Sequence, residues 1–126
     1  MRDYQDLEIW KRSYKLGLEI YKITNKFPKT EIYALTDQLR RAILSVSTNI
    51  AEGCGRSSSK EYIHFMQIAL GSLYETENLL MFGHDLNYVS NEVFEIYWDE
   101  IKNIKRMLTT YIKKIKKNNY NLKTSI

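Results

Sequence analysis

Glu61 and His64 stand three residues apart in Glu61-Tyr62-Ile63-His64. On a helix this spacing puts a carboxylate and an imidazole on one face, as in the carboxylate-bridged di-metal centres of four-helix bundles. Such a centre needs two of these motifs and two further glutamates. The second histidine, His84, has Met81 three residues before it, so the ligand count falls short. Glu61 then reads as a helix cap and His64 as a surface or partly buried polar residue; no metal and no cofactor is expected. Glu75 and Glu77 are two apart and diverge on a helix; Glu77 falls near an inner stripe, where Arg40 or Arg41 would pair with it. Ser57-Ser58-Ser59 has no His and Asp arranged to activate a nucleophile. Gly53-Cys54-Gly55 lacks the lysine and the preceding strand of a phosphate loop. Cys54, beside Arg56 and a helix start, has the setting of a reactive thiol, though a lone cysteine there is more often passive. The expectation is a protein that is not an enzyme.

The elements that position these groups are helical. An all-α, antiparallel up-down four-helix bundle follows from four amphipathic stretches at about 7–26, 34–53, 58–86 and 90–117, with a basic tail over 118–126. All 126 residues form one domain. The first helix carries Ile9/Trp10, Ser13/Tyr14, Gly17, Ile20/Tyr21 and Thr24 on its inner stripe, with Asp6 as N-cap and Phe27-Pro28 as its stop. The second starts between Thr30 and Thr36, both acceptable caps. The third opens on a capping box, Ser58-Ser59-Lys60-Glu61. It continues through Tyr62, Phe65/Met66, Ala69, Leu73, Leu80 and Met81, and Asn87 suits the left-handed position after its end. The fourth carries Val93/Phe94, Tyr97, Ile101, Ile104, Leu108, Tyr111/Ile112 and Ile115. The last two helices are each expected to reach about 40 Å.

The second helix holds the densest signal. Leu35, Leu39, Ala42/Ile43, Val46 and Ile50 make one apolar face, which Asn49 and Glu52 interrupt just before Gly53. A buried amide or carboxylate needs a bonding partner, so Asn49, Glu52 and Gly53 are candidates for a structural or oligomer junction.

Charge is unevenly spread. Residues 1–101 carry 11 Lys/Arg against all 15 Asp/Glu, whereas residues 102–126 carry eight Lys/Arg and no acid. A one-signed terminal block suits a polyanion, because cations that neutralise phosphates release counterions; it equally suits a solvated helix end. Arg40 and Arg41 are consecutive, so at least one leaves the core. Arg56 and Lys60 flank the start of the third helix. With Lys113, Lys114, Lys116 and Lys117 they form a candidate nucleic-acid-binding rim, and Tyr111 and Tyr120 are candidates for stacking on bases. Further apolar residues, Ile63, Ile68, Leu70, Leu79, Phe82, Ile96, Trp98 and Met107, lie off the inner stripes. They predict self-association into a cyclic homo-oligomer. No run of 18 apolar residues is present, so no membrane span is expected. The polar start, Met1-Arg2-Asp3-Tyr4-Gln5-Asp6, is unlike a secretory signal, and one cysteine suits a reducing cytoplasm.

Asp6-Leu7-Glu8-Ile9-Trp10-Lys11, Phe27-Pro28, Gln38-Leu39-Arg40-Arg41-Ala42, Asn49-Ile50-Ala51-Glu52-Gly53-Cys54-Gly55-Arg56 and Ala69-Leu70-Gly71-Ser72-Leu73-Tyr74-Glu75 resemble the 23S rRNA intervening-sequence protein family, the S23-like four-helix-bundle proteins. The likeness runs in order from Asp6 to Tyr88. Ser47 stands where that family usually has proline, Asn87 where it often has glycine, and His64 where arginine or a similar residue is common. The resemblance implies an up-down bundle assembled into a five-fold ring. It also implies kinship with the accessory variability proteins of diversity-generating retroelements, which bind a reverse transcriptase and nucleic acid. Two functions stay open: a ring-forming accessory factor for RNA, DNA or a ribonucleoprotein, and a protein-interaction scaffold that binds no nucleic acid.

Overall fold

The computed structural model describes residues 3–124, with side chains through Asn118. Its described residues form four α-helices and no strand: α1 (Glu8–Thr24), α2 (Leu35–Cys54), α3 (Ser59–Asp85) and α4 (Asn91–Thr124). Cross-helix contacts set the direction of each. Gly17 faces Ile43, and Gly53 faces Phe65. Ser45 bonds Ser72 and Tyr62 bonds Tyr111. Residue numbers rise on one helix as they fall on its neighbour, so consecutive helices are antiparallel and α4 returns beside α1.

The helix ends differ from sequence expectation at three places. Asp6 does not cap α1. It lies in a 3₁₀ turn, Tyr4–Asp6, which Asp3 caps by accepting from the Gln5 N–H; Leu7 takes the N-cap position with no side-chain bond, its side chain packing on the core instead. Neither Thr30 nor Thr36 caps α2. The N-cap is Ala34, whose own N–H bonds back to Glu31, so a 3₁₀ turn over Lys29–Glu31 runs straight to the helix. At the far end, α4 continues through 118–124 rather than giving way to a tail. Nothing in that stretch is a glycine or proline that would stop it. By contrast Ser58 accepts from the Glu61 N–H at 3.1 Å, one arm of the expected capping box. Asn87 has φ 66°, closing α3 in the left-handed region that asparagine tolerates.

The core is aliphatic with a few hydroxyls. Ile20, Leu39, Ile43, Val46, Ile50, Met66, Leu73, Leu80, Ile101, Ile104 and Leu108 are fully enclosed. Ser13 and Thr24 are buried because their hydroxyls return to the carbonyls of Ile9 and Ile20 four residues back. Tyr14, Tyr21 and Met81, expected inside, are exposed, while Leu16 and Leu79 are buried. In α1 and α3 the buried face is thus turned slightly from the one that apolar residue type alone suggests. Gly53 marks a close approach of α2 and α3: a Cβ there would stand 2.9 Å from the Phe65 Cβ and 3.0 Å from the Met66 Cε. The α1–α4 seam is looser. Arg12 clamps Glu100 with two bonds, of 2.5 and 3.1 Å, Tyr97 donates to Glu19 at 3.2 Å, and grooves open on either side of the clamp.

Candidate nucleic-acid interface

Tyr62 and Tyr111 fix where α4 leaves the bundle. In antiparallel register, Ser59 at the start of α3 lies level with Lys114, and α4 then runs ten residues further, about 15 Å. Among the described residues Ile112 is the last that is buried and Ile115 is half-buried, while Lys113, Lys114, Lys116 and Lys117 are exposed. The α2–α3 connection lies at the same end, so Lys60, also exposed, joins these four.

The remaining rim candidates are placed otherwise. Arg56 lies over the Phe65 ring at 4.6 Å and bonds Glu52 at 3.2 Å. It shares the end with the lysines, but its charge is partly matched. Arg40 and Arg41 are at the opposite end, some 16 residues or about 24 Å from Arg56 along α2. Arg40 donates to Thr24 and Asn25, each at 2.8 Å, and lies over Tyr21; it is a latch between α1 and α2. Arg41 pairs with Asp37 on its own helix. The chain therefore does not gather all eight cations into a single rim, because antiparallel helices send the two ends of α2 apart.

Glu77 pairs with neither arginine. It meets Lys105 of α4 at 2.6 Å, both side chains 17% exposed, and Lys105 also sits over Tyr74. Asn49 does not bond across helices directly: its amide donates to the Ser45 carbonyl and hydroxyl, and Ser45 in turn accepts from Ser72 of α3. Glu52 is exposed and Gly53 buried. Cys54 is buried, 3.9 Å from the Tyr62 hydroxyl. Burial, then the bond to Tyr111, pushes the Tyr62 phenol far above its ordinary value. Tyr111 is held edge-on against Tyr62, and the Tyr120 side chain lies outside the described residues. Glu61 and His64 are both exposed. Among the described residues no group of three or more His, Cys, Asp or Glu could hold a metal ion, and no helix is long and apolar enough to cross a membrane.

Two surfaces escaped the sequence. On the α1–α2 face, Tyr14, Leu18 and Leu44 are 49%, 50% and 54% exposed around a groove of about 300 Å³. On the α1–α4 seam, Leu7, Ile9, Met107 and Tyr111 line a second groove of about 430 Å³. The signal for it was present in Met107, an apolar residue off the inner stripe of α4 and two turns after Glu100.

Residues 5–110 match the family model of the 23S rRNA-intervening sequence protein. The chain belongs to that family. Among solved structures, this 23S rRNA-intervening sequence family member is similar to a protein of unknown function from the S23 ribosomal protein family of Bacteroides thetaiotaomicron, determined at 1.70 Å. The TM-score is 0.75 at 24% identity, over 83% of this chain and 98% of the other, a likeness that concerns the fold. No curated protein matches.

Proposed function

We propose that this protein is a non-catalytic accessory factor that grips nucleic acid at the end where α4 outruns the bundle. The observation that carries this reading is the exposure of Lys113 and Lys114 at that end of the bundle and of Lys116 and Lys117 on the extension itself, beside exposed Lys60. No acid follows Glu100 to offset them. Charge so placed is a low-cost contact for a phosphate backbone and carries no sequence preference of its own.

Affinity for structured RNA and single-stranded DNA across a salt series tests it. Binding should weaken as salt rises, with a log–log slope near −0.7 to −0.9 per phosphate contacted. Replacing the four lysines by alanine should flatten that slope. Absent or salt-insensitive binding overturns the proposal.

The same reading includes self-association into a closed ring, five-fold by family likeness. The exposed Tyr14, Leu18 and Leu44 support it, since adjoining apolar side chains on a water-facing helix pair favour a partner. Leu18→Glu with Leu44→Glu should yield a lone protomer in sedimentation. A ring that persists in this variant would place the interface elsewhere. The same face favours the second reading, a protein-interaction scaffold, which a ring that never binds nucleic acid would support.

A further inference from the structure

The α1–α4 groove next to the extension combines three things. Its floor is apolar, built from Leu7, Ile9, Met107 and Tyr111. One edge carries Arg106 and Lys114, both exposed and eight residues apart, or roughly 12 Å along α4. The other edge carries the Glu8 carboxylate. Tyr111 is a rigid part of the wall, because its hydroxyl is tied to Tyr62 at 2.7 Å. At about 430 Å³ the groove is within the range that small ligands occupy.

We propose that this groove takes an unpaired base from a single-stranded segment whose phosphates lie on Arg106 and Lys114. The inference rests on the reading that the basic end grips nucleic acid, and adds which form of it. Bases in a duplex are stacked and paired, so none can enter a slot in a protein surface at no cost. A single strand offers apolar faces for the floor and, on either side, phosphates for the two cations. The cations do not stop at the groove: α4 carries on from Lys114 to Lys116 and Lys117. A continuing cationic track fits a polyanion better than an amphiphile with one charged head. Glu8 adds selectivity. A carboxylate accepts from the exocyclic amine of cytosine or adenine and repels the carbonyl that uracil presents instead.

Fluorescence anisotropy with oligocytidylate, oligouridylate and a blunt RNA duplex of equal length tests this in low salt. Wild-type protein should bind oligocytidylate about tenfold more tightly than the duplex, the worth of one base–protein stacking contact. It should favour oligocytidylate over oligouridylate by about threefold, as one hydrogen bond allows. Thr110 also lines the groove and is exposed, so Thr110→Leu narrows it without changing charge. That variant should bring single-strand affinity down to the duplex level and leave duplex binding alone. Glu8→Ala should abolish the cytidine preference. Equal affinity for single strand and duplex, or a preference that survives Thr110→Leu, overturns the groove while sparing the basic-end reading. No binding to any of the three overturns both. Dodecanoate shifting the Met107 methyl resonance where oligocytidylate does not would reassign the groove to an amphiphile. Circular dichroism of each variant separates these results from misfolding.

Discussion

The hydroxyls of Tyr62 and Tyr111 meet at 2.7 Å across α3 and α4, with the Cys54 thiol 3.9 Å from the first of them. This is the polar point in an otherwise aliphatic end of the core, and it sets the register from which α4 projects.

Removing either hydroxyl of that pair should cost about 1 kcal/mol, the usual net worth of a hydrogen bond. In urea denaturation, Tyr62→Phe and Tyr111→Phe should each lower stability, and the double variant should lose less than the sum. The buried Tyr62 phenol is raised above its ordinary value by burial and by Tyr111. Its contribution is fully present below about pH 10, where the unfolded phenol is neutral. It is lost as pH rises beyond that point. Wild type should lose stability in strong alkali faster than Tyr62→Phe.

Two glycines on neighbouring helices should respond to alanine with opposite signs. At Gly53 the new methyl would meet the Phe65 Cβ at 2.9 Å, so α2 and α3 must part. Overpacking of this kind costs about 1–3 kcal/mol and outweighs the gain in helix propensity. At Gly71, exposed in mid-helix, nothing lies within 4 Å, and Gly71→Ala should stabilise by about 0.5–1 kcal/mol. Melting temperatures of the two variants decide this directly.

Lys105 and Glu77 form the least exposed ion pair among the described residues. Lys105→Met should destabilise by about 1.5–3 kcal/mol, since the carboxylate is left without its charged donor. Adding Glu77→Leu should restore most of the loss. A double variant whose loss equals the sum of the losses of Lys105→Met and Glu77→Leu would mean that the pair has no coupling energy.

His84 places both ring nitrogens against acceptors, Nε2 on Asn91 at 2.6 Å and Nδ1 on Asp85 at 2.9 Å, with its ring stacked on Phe94. A neutral imidazole can donate only once, so the arrangement favours the protonated ring. The Asn91 bond and then the Asp85 bond raise its pKa. The stability it contributes is full below the unfolded value near 6.5 and is lost as pH rises through the folded value. Its NMR titration midpoint should lie above 6.5, and Asn91→Ala should lower it.

The sequence was a good guide wherever one residue type answers one backbone need. Asn87 at a left-handed position and Ser58 at a helix start are such cases. It was a poor guide where two adjacent residues compete for one inward position. Ser13 is buried, its hydroxyl bonded to the Ile9 carbonyl of its own helix, and Tyr14 is exposed. The cationic residues could be counted but not placed. Arg40 turned out to be a latch on Thr24 and Asn25, since its partners lie in the preceding helix and no local spacing reveals them. Gly53 read as a junction candidate, but that it admits Phe65 and Met66 depends on how α3 crosses α2, which no local spacing reveals.

The close crossing at Gly53 makes the halves of the bundle unequal. α2 and α3 close on each other where Gly53 meets the side chains of Phe65 and Met66, while α1 and α4 are joined by the Arg12–Glu100 clamp and the Tyr97–Glu19 bond, with hollows on both sides of the clamp. Amide protons of the inner pair should therefore be the last to exchange with deuterium, and those of α1 the first among the long helices. A guest entering between α1 and α4 would work against the softest hinge in the molecule.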